Sequence, residues 1–179
     1  MDAQTLKNSL CSVEQHNSDL YPFEENGNDA TLRKVYMCDI PSEALIIKLD
    51  KIKFLKFFKE NNGWGFNKHS DYLIVTDDKL VFIEMKSTTS VGPDLKNECI
   101  KKFSSDECSM NYADLIFQKM LSKNSFFERR EPHYVLLFQA LPITKTPTKL
   151  GTVTSNTTPD TFRQIPVANE STISFYRTI

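Results

Sequence analysis

Residues 71–86 read Asp-Tyr-Leu-Ile-Val-Thr-Asp-Asp-Lys-Leu-Val-Phe-Ile-Glu-Met-Lys, two apolar runs separated by a polar pair. Tyr72 to Thr76 and Leu80 to Lys86 predict strands, with Asp77-Asp78 as the two-residue loop of a hairpin. That loop sets the register: Thr76 faces Lys79, Leu73 faces Phe82 and Asp71 faces Glu84. Side chains alternate along a strand, so Leu73, Val75, Leu80 and Phe82 share a face with Asp71, Glu84 and Lys86. Tyr72, Ile74, Val81, Ile83 and Met85 form the other face. A hairpin apolar on both sides is expected inside a sheet covered by helices on both faces.

The rest of the chain supplies fewer clear periods. Leu32 to Met37 and Ala44 to Lys48 are rich in β-formers and predict strands. From Lys48 to Lys59, the lysines 48, 51, 53, 56 and 59 interleave with Ile52, Phe54, Leu55, Phe57 and Phe58, the spacing of an amphipathic helix. Its lysine face is either simply solvated or placed to follow a nucleic-acid backbone. Ser87 to Asp106, holding Gly92-Pro93, reads as a long polar connection of the kind that touches substrate. Ser109 to Lys123 carries Ala113, Ile116, Phe117, Met120 and Leu121 at helical spacing. Tyr134 to Gln139 is a compact buried strand. The first 30 or so residues, polar around Tyr21-Pro22-Phe23, predict an irregular arm. After Pro142 and Pro147, Phe162 to Val167 and Thr172 to Arg177 predict a terminal β-hairpin, a candidate for dimer or partner contacts. The expected division is an arm over 1–30, a core over 31–141 and a Pro/Thr-rich loop with the hairpin over 142–179, packed as one globular domain.

The hairpin register carries the chemistry. Directly opposed carboxylates lie about 5 Å apart and resist ionising together unless a cation sits between them. Oxygen ligands of this kind suit Mg2+ or Mn2+, and Asp71, Glu84 and the backbone carbonyl of Met85 suffice once water and substrate phosphate complete the shell. Lys86 then stands where it can orient or deprotonate a water or stabilise developing phosphate charge. The competing reading is a strand-end ion pair of Glu84 with Lys86 and an Asp71 that merely opens its strand. An apolar strand ending in Glu-x-Lys, with an Asp placed opposite by register, favours the metal.

Asp71, Glu84 and Lys86 in this arrangement resemble the core of the PD-(D/E)xK nuclease superfamily, in which an Asp opens one strand and Glu-x-Lys closes the next. The resemblance spans about residues 50–138. It implies a restriction-endonuclease-like αβββαβ core, a central mixed sheet flanked by helices, with the N-terminal arm and C-terminal β appendage outside it. It implies phosphodiester hydrolysis assisted by Mg2+ or Mn2+, with Asp71 and Glu84 as metal ligands and Lys86 as the catalytic lysine. The residue before the Asp is Ser70 rather than Pro. A further acid from the first helix is expected in such proteins, and Glu43 and Glu60 are the candidates. A Gln or Lys on a later helix is expected to face the site, and Gln118 is the candidate.

With 22 Lys and Arg against 23 Asp and Glu the net charge is −1, so the chain lacks the basic excess of a protein that grips DNA by phosphate contacts alone. A nuclease of this charge is expected to act as a homodimer or within a larger assembly, such as a restriction or anti-phage defence complex. DNA is favoured over RNA as substrate. A non-catalytic nucleic-acid-binding or scaffold protein and an RNA-directed effector are the alternatives. Cys11, Cys38, Cys99 and Cys108 show no paired spacing, and with His16, His69 and His133 they complete no zinc pattern. No secretory segment or membrane-length apolar run is present, which leads to the expectation of a cytoplasmic protein with reduced thiols and no membrane partner. His69 is expected to be a polar loop residue, and Trp64 to pack a turn.

Overall fold

The computed structural model describes residues 13–15, 18–25, 30–51, 68–122, 124–140 and 155–179. The hairpin forms in the predicted register: β5 (Tyr72–Val75) runs antiparallel to β6 (Lys79–Lys86), with Tyr72 opposite Ile83, Leu73 opposite Phe82 and Val75 opposite Leu80. Thr76 closes its loop, donating its N–H to the Lys79 carbonyl and accepting the Lys79 N–H on its hydroxyl, both at 3.0 Å. Neither central strand has a solvated face. That places the hairpin at the centre of a six-stranded sheet of order β1-β4-β5-β6-β7-β8.

The partners of the hairpin are β1 (Val13–Gln15) and β4 (Leu45–Lys48) on one side, and β7 (Glu131–Gln139) and β8 (Arg163–Val167) on the other. β5 runs antiparallel to both of its neighbours, β4 and β6, whereas β6, β7 and β8 are parallel, so the sheet is mixed. A second, three-stranded mixed sheet joins β2 (Leu20–Glu24), β3 (Lys34–Cys38) and β9 (Thr172–Ser174). The parallel step from β6 to β7 needs a crossover, and α1 (Pro93–Leu121) supplies it.

The two sheet faces are buried differently. Leu45, Ile47, Leu73, Val75, Leu80, Phe82, Tyr134 and Leu136 pack against Cys99, Phe103, Met110, Ala113 and Phe117 of α1. The Tyr134 ring stacks on Phe82 with centroids 5.1 Å apart and meets Phe103 at 5.3 Å. On the opposite face, Ile46, Ile74, Val81, Ile83 and Val135 pack against Phe23, Val35, Met37, Ile173 and Phe175 of the small-sheet side. Helices were expected on both faces. Among the described residues the second face is covered by the three-stranded sheet instead, which buries apolar residues from every other position of its strands.

Four further expectations are corrected. The polar connection read over Ser87 to Asp106 is helical from Pro93, which takes the first helical position behind Gly92 as its fixed φ allows. The N-terminal arm contributes β1 and β2. The terminal hairpin does not form: β8 extends the large sheet parallel to β7, while β9 pairs in parallel with β3. The intervening turn docks on β3, because Asn169 Oδ1 accepts the N–H groups of Arg33 and Lys34, each at 2.9 Å, and Tyr36 N–H donates to the Ser171 carbonyl at 2.9 Å. Ile165, Val167, Ile173 and Phe175 are all buried, so this segment belongs to the core rather than to an appendage. Lys48 ends β4 and residues 49–51 form one 3-10 turn, so no amphipathic helix begins at Lys48. The remainder of that predicted helix, with Glu60 and Trp64, lies outside the described residues, as do Cys11, His16, Pro142 and Pro147. No helix among the described residues is long and apolar enough to cross a membrane.

Candidate functional site

The C-terminal end of β6 delivers Glu84 and Lys86 to the face covered by α1. Glu84 is 1 % exposed. Its Oε1 accepts Lys102 Nζ at 2.6 Å and Lys86 Nζ at 3.1 Å, and Lys86 Nζ also donates to Glu98 Oε1 at 3.1 Å. Glu84 Oε2 is buried with no hydrogen-bond partner. Asp71 stands opposite at the mouth of β5. Its N–H donates to the Ile83 carbonyl at 3.0 Å, its carbonyl accepts the Leu49 N–H at 3.0 Å, and its Oδ2 accepts the Met85 N–H at 2.7 Å. The N–H and carbonyl of a strand residue point to the same side, so the Met85 carbonyl also faces the Asp71 flank.

Burial and the Glu84 charge push the Asp71 carboxyl up to about 7, with the Lys102 charge and the Met85 N–H opposing them. Burial also raises Glu84, against the opposing pull of Lys102 and Lys86. Burial works against the Lys86 ammonium, yet the charges and hydrogen bonds of Glu84 and Glu98 outweigh it and hold the ammonium form. Glu98 loses something to burial but is held below the usual carboxylate range by Lys86, then Lys102 and Lys68. Once Asp71 ionises, three carboxylates face two close ammonium groups, a shortfall of one positive charge.

The face of α1 that meets this end of the sheet carries Glu98, Lys102 and Asp106, four residues apart and therefore stacked along one side of the helix. Glu98 meets Lys86, and Lys102 meets Glu84. Asp106, fully buried, takes His69 Nδ1 on Oδ1 at 2.8 Å and the Ser70 N–H on Oδ2 at 3.0 Å. His69 thus lies in the loop before β5, as expected, but is buried there and tied to the helix.

The structure brings together Asp71, Glu84, Met85 and Lys86. It does not bring Gln118 to them: Gln118 is exposed and lies sixteen residues beyond Lys102, about 24 Å further along the helix axis. Glu43 is exposed in the turn before β4, at the opposite end of that strand from Asp71. Lys102 and Glu98 lie in the segment whose polar composition predicts a loop, so the sequence does not single them out. The available signal was Gly92-Pro93 as a helix start, followed by Leu95, Cys99 and Phe103 at intervals of four.

Among the described residues no three His, Cys, Asp or Glu side chains form a cation site. A divalent cation here has two carboxylates and one carbonyl to use, which fits the sparse protein ligation of Mg2+ with water and phosphate completing its shell. The unpartnered Glu84 Oε2 fits the same chemistry, since a buried carboxylate oxygen without a donor is costly. No family model, curated protein or solved structure matches this chain.

Proposed function

We propose that this chain is a metal-dependent nuclease that hydrolyses phosphodiester bonds, with DNA the favoured substrate. The observation that carries the reading is Glu84 Oε2, a buried unpartnered carboxylate oxygen at the end of an apolar strand, with Asp71 fixed opposite it. The strand order β4-β5-β6-α1-β7 and the Asp71, Glu84, Lys86 constellation support kinship with restriction-endonuclease-like proteins. Asp71, Glu84 and the Met85 carbonyl would hold Mg2+ or Mn2+, which supplies Lewis-acid polarisation of a phosphoryl oxygen and neutralises developing charge. Lys86 is held as an ammonium by Glu84 and Glu98, so its role is to stabilise negative charge on the scissile phosphate rather than to abstract a proton. Lys102 shares the Glu84 oxygen with Lys86, and a cation that takes Glu84 leaves both ammonium groups available to phosphate. With a net charge of −1, grip on nucleic acid is assigned to a second copy or to a larger assembly of the restriction or anti-phage defence type.

One observation favours a second reading, a non-catalytic nucleic-acid-binding or scaffold role: Glu84 Oε1 already has two ammonium partners. The test is cleavage of plasmid, linear duplex, single-stranded DNA and RNA with Mg2+ or Mn2+, comparing the wild type with Glu84→Ala and Lys86→Ala. Divalent-dependent cleavage lost in both folded variants is the expected result, and the substrate cut separates DNA from RNA. Absence of cleavage together with absence of Mn2+ binding would overturn the nuclease and leave the scaffold.

A further inference from the structure

We propose that Asp106 is the positioning residue that sets the Asp71 carboxylate against Glu84. The inference rests on the metal-site reading above. A partly buried carboxylate beside a buried one is repelled, so an Asp at a strand mouth relaxes away from its neighbour unless its backbone is held. Three restraints act on Asp71 itself: its N–H on Ile83, its carbonyl under Leu49 and its side chain on the Met85 N–H. The fourth comes from the two residues before it. Asp106 accepts His69 Nδ1 at 2.8 Å and the Ser70 N–H at 3.0 Å, so both of its oxygens grip the segment that leads directly into Asp71.

The same helix holds the opposing carboxylate, because Lys102, one turn before Asp106, donates to Glu84 at 2.6 Å. α1 therefore fixes both halves of the site through adjacent turns. A substitution at Asp106 changes the spacing of Asp71 and Glu84 without touching either.

Asp114 provides the control for a merely structural role. It is also buried on α1 and also accepts backbone N–H groups, from Phe126 at 2.7 Å, Phe127 at 2.9 Å and Glu128 at 2.8 Å, but its loop precedes β7 and does not reach the site. The experiment compares wild type, Asp106→Asn and Asp114→Asn by Mn2+ titration calorimetry and by amide exchange at the Met85 N–H relative to the other β6 amides. Residues that orient metal ligands typically contribute 10–100-fold to metal affinity. Asp106→Asn is expected to weaken Mn2+ binding about tenfold or more and to speed Met85 exchange, while Asp114→Asn changes neither. Wild-type behaviour of Asp106→Asn, or an equal loss in Asp114→Asn, overturns the proposal. If the wild type binds no Mn2+, the metal reading falls, and Met85 exchange alone decides whether Asp106 places Asp71. His69→Gln, which removes one of the two grips, replaces Asp106→Asn should the latter not fold.

Discussion

Replacing Asp71 by Asn should stabilise the metal-free protein, and only above a definite pH. Burial and the Glu84 charge raise the Asp71 carboxyl from 3.8 to about 7 in the folded state. Below about pH 4 both states hold the proton and the group is neutral to stability. As pH rises, the unfolded chain ionises first, and the stability associated with the neutral carboxyl is lost progressively until pH passes about 7. A shift of about three units corresponds to about 4 kcal/mol, an upper bound because Asp71 is only partly buried. Asn is neutral at every pH and still offers an oxygen to the Met85 N–H. With chelator present, urea unfolding followed by circular dichroism should find Asp71→Asn equal to wild type at pH 4 and more stable by up to about 4 kcal/mol at pH 8. Mn2+ should narrow that gap at pH 8, by about 2.7 kcal/mol at 100 times its Kd and by about 4.1 kcal/mol at 1,000 times, because only the wild type keeps both carboxylates to bind it. A difference that does not change with pH, or a wild type that is the more stable at pH 8 in chelator, would refute the account of two carboxylates held together against their repulsion.

Three other outcomes follow from the contacts. Lys102→Met removes one of the two ammonium groups on Glu84 Oε1 and should cost about 2 kcal/mol at neutral pH by urea unfolding, below the usual range for a broken buried pair because Lys86 remains. Asp114→Ala leaves the N–H groups of Phe126, Phe127 and Glu128 without their acceptor and should cost about 3 kcal/mol, read in the same assay. Among the described thiols, mass-resolved labelling should find exposed Cys108 modified first, Cys38 more slowly because Asp39 and burial raise its thiol, and buried Cys99, pushed up to about 12 by burial, only on unfolding. Labelling of Cys99 as fast as Cys108 under native conditions would contradict the packing of α1 on the sheet.

The central hairpin was legible because its signal is local. Alternation at period two and a two-residue polar loop fix the register without reference to the rest of the chain, and Asp71, Glu84 and Lys86 follow from it. Elements defined by distant partners were not legible. β9 is three residues long and exists because β3 and the Asn169 turn receive it. A four-residue link between β8 and β9 is equally compatible with a hairpin, and the burial of Ile173 against the second sheet face joins the contacts to β3 in deciding the outcome. The first half of α1 was hidden for another reason. Ser105, Asp106 and Ser109 occupy buried positions where an amphipathic helix is expected to carry apolar side chains, so the period breaks where the helix meets the site.

Those breaks do not all mean the same thing. An apolar residue at 106 or 114 would avoid the cost of burying a carboxylate, so each Asp must be kept for what it holds. Asp114 holds the turn that feeds β7, a connection any protein with this crossover needs. A buried polar residue with all its partners inside the fold is thus no sign of a functional site. The sheet end opposite Asp106 differs because its conflict is left unresolved: Asp71 is kept beside Glu84 although the Glu84 charge raises the cost of ionising it, and Glu84 Oε2 has no donor. Satisfying that oxygen would take one hydroxyl or amide from β5 or α1. The fold commits Asp106, Lys102, Leu49 and Met85 to fixing these carboxylates and still leaves Glu84 Oε2 without a donor, a combination that supports the proposed cation over a purely structural ion pair.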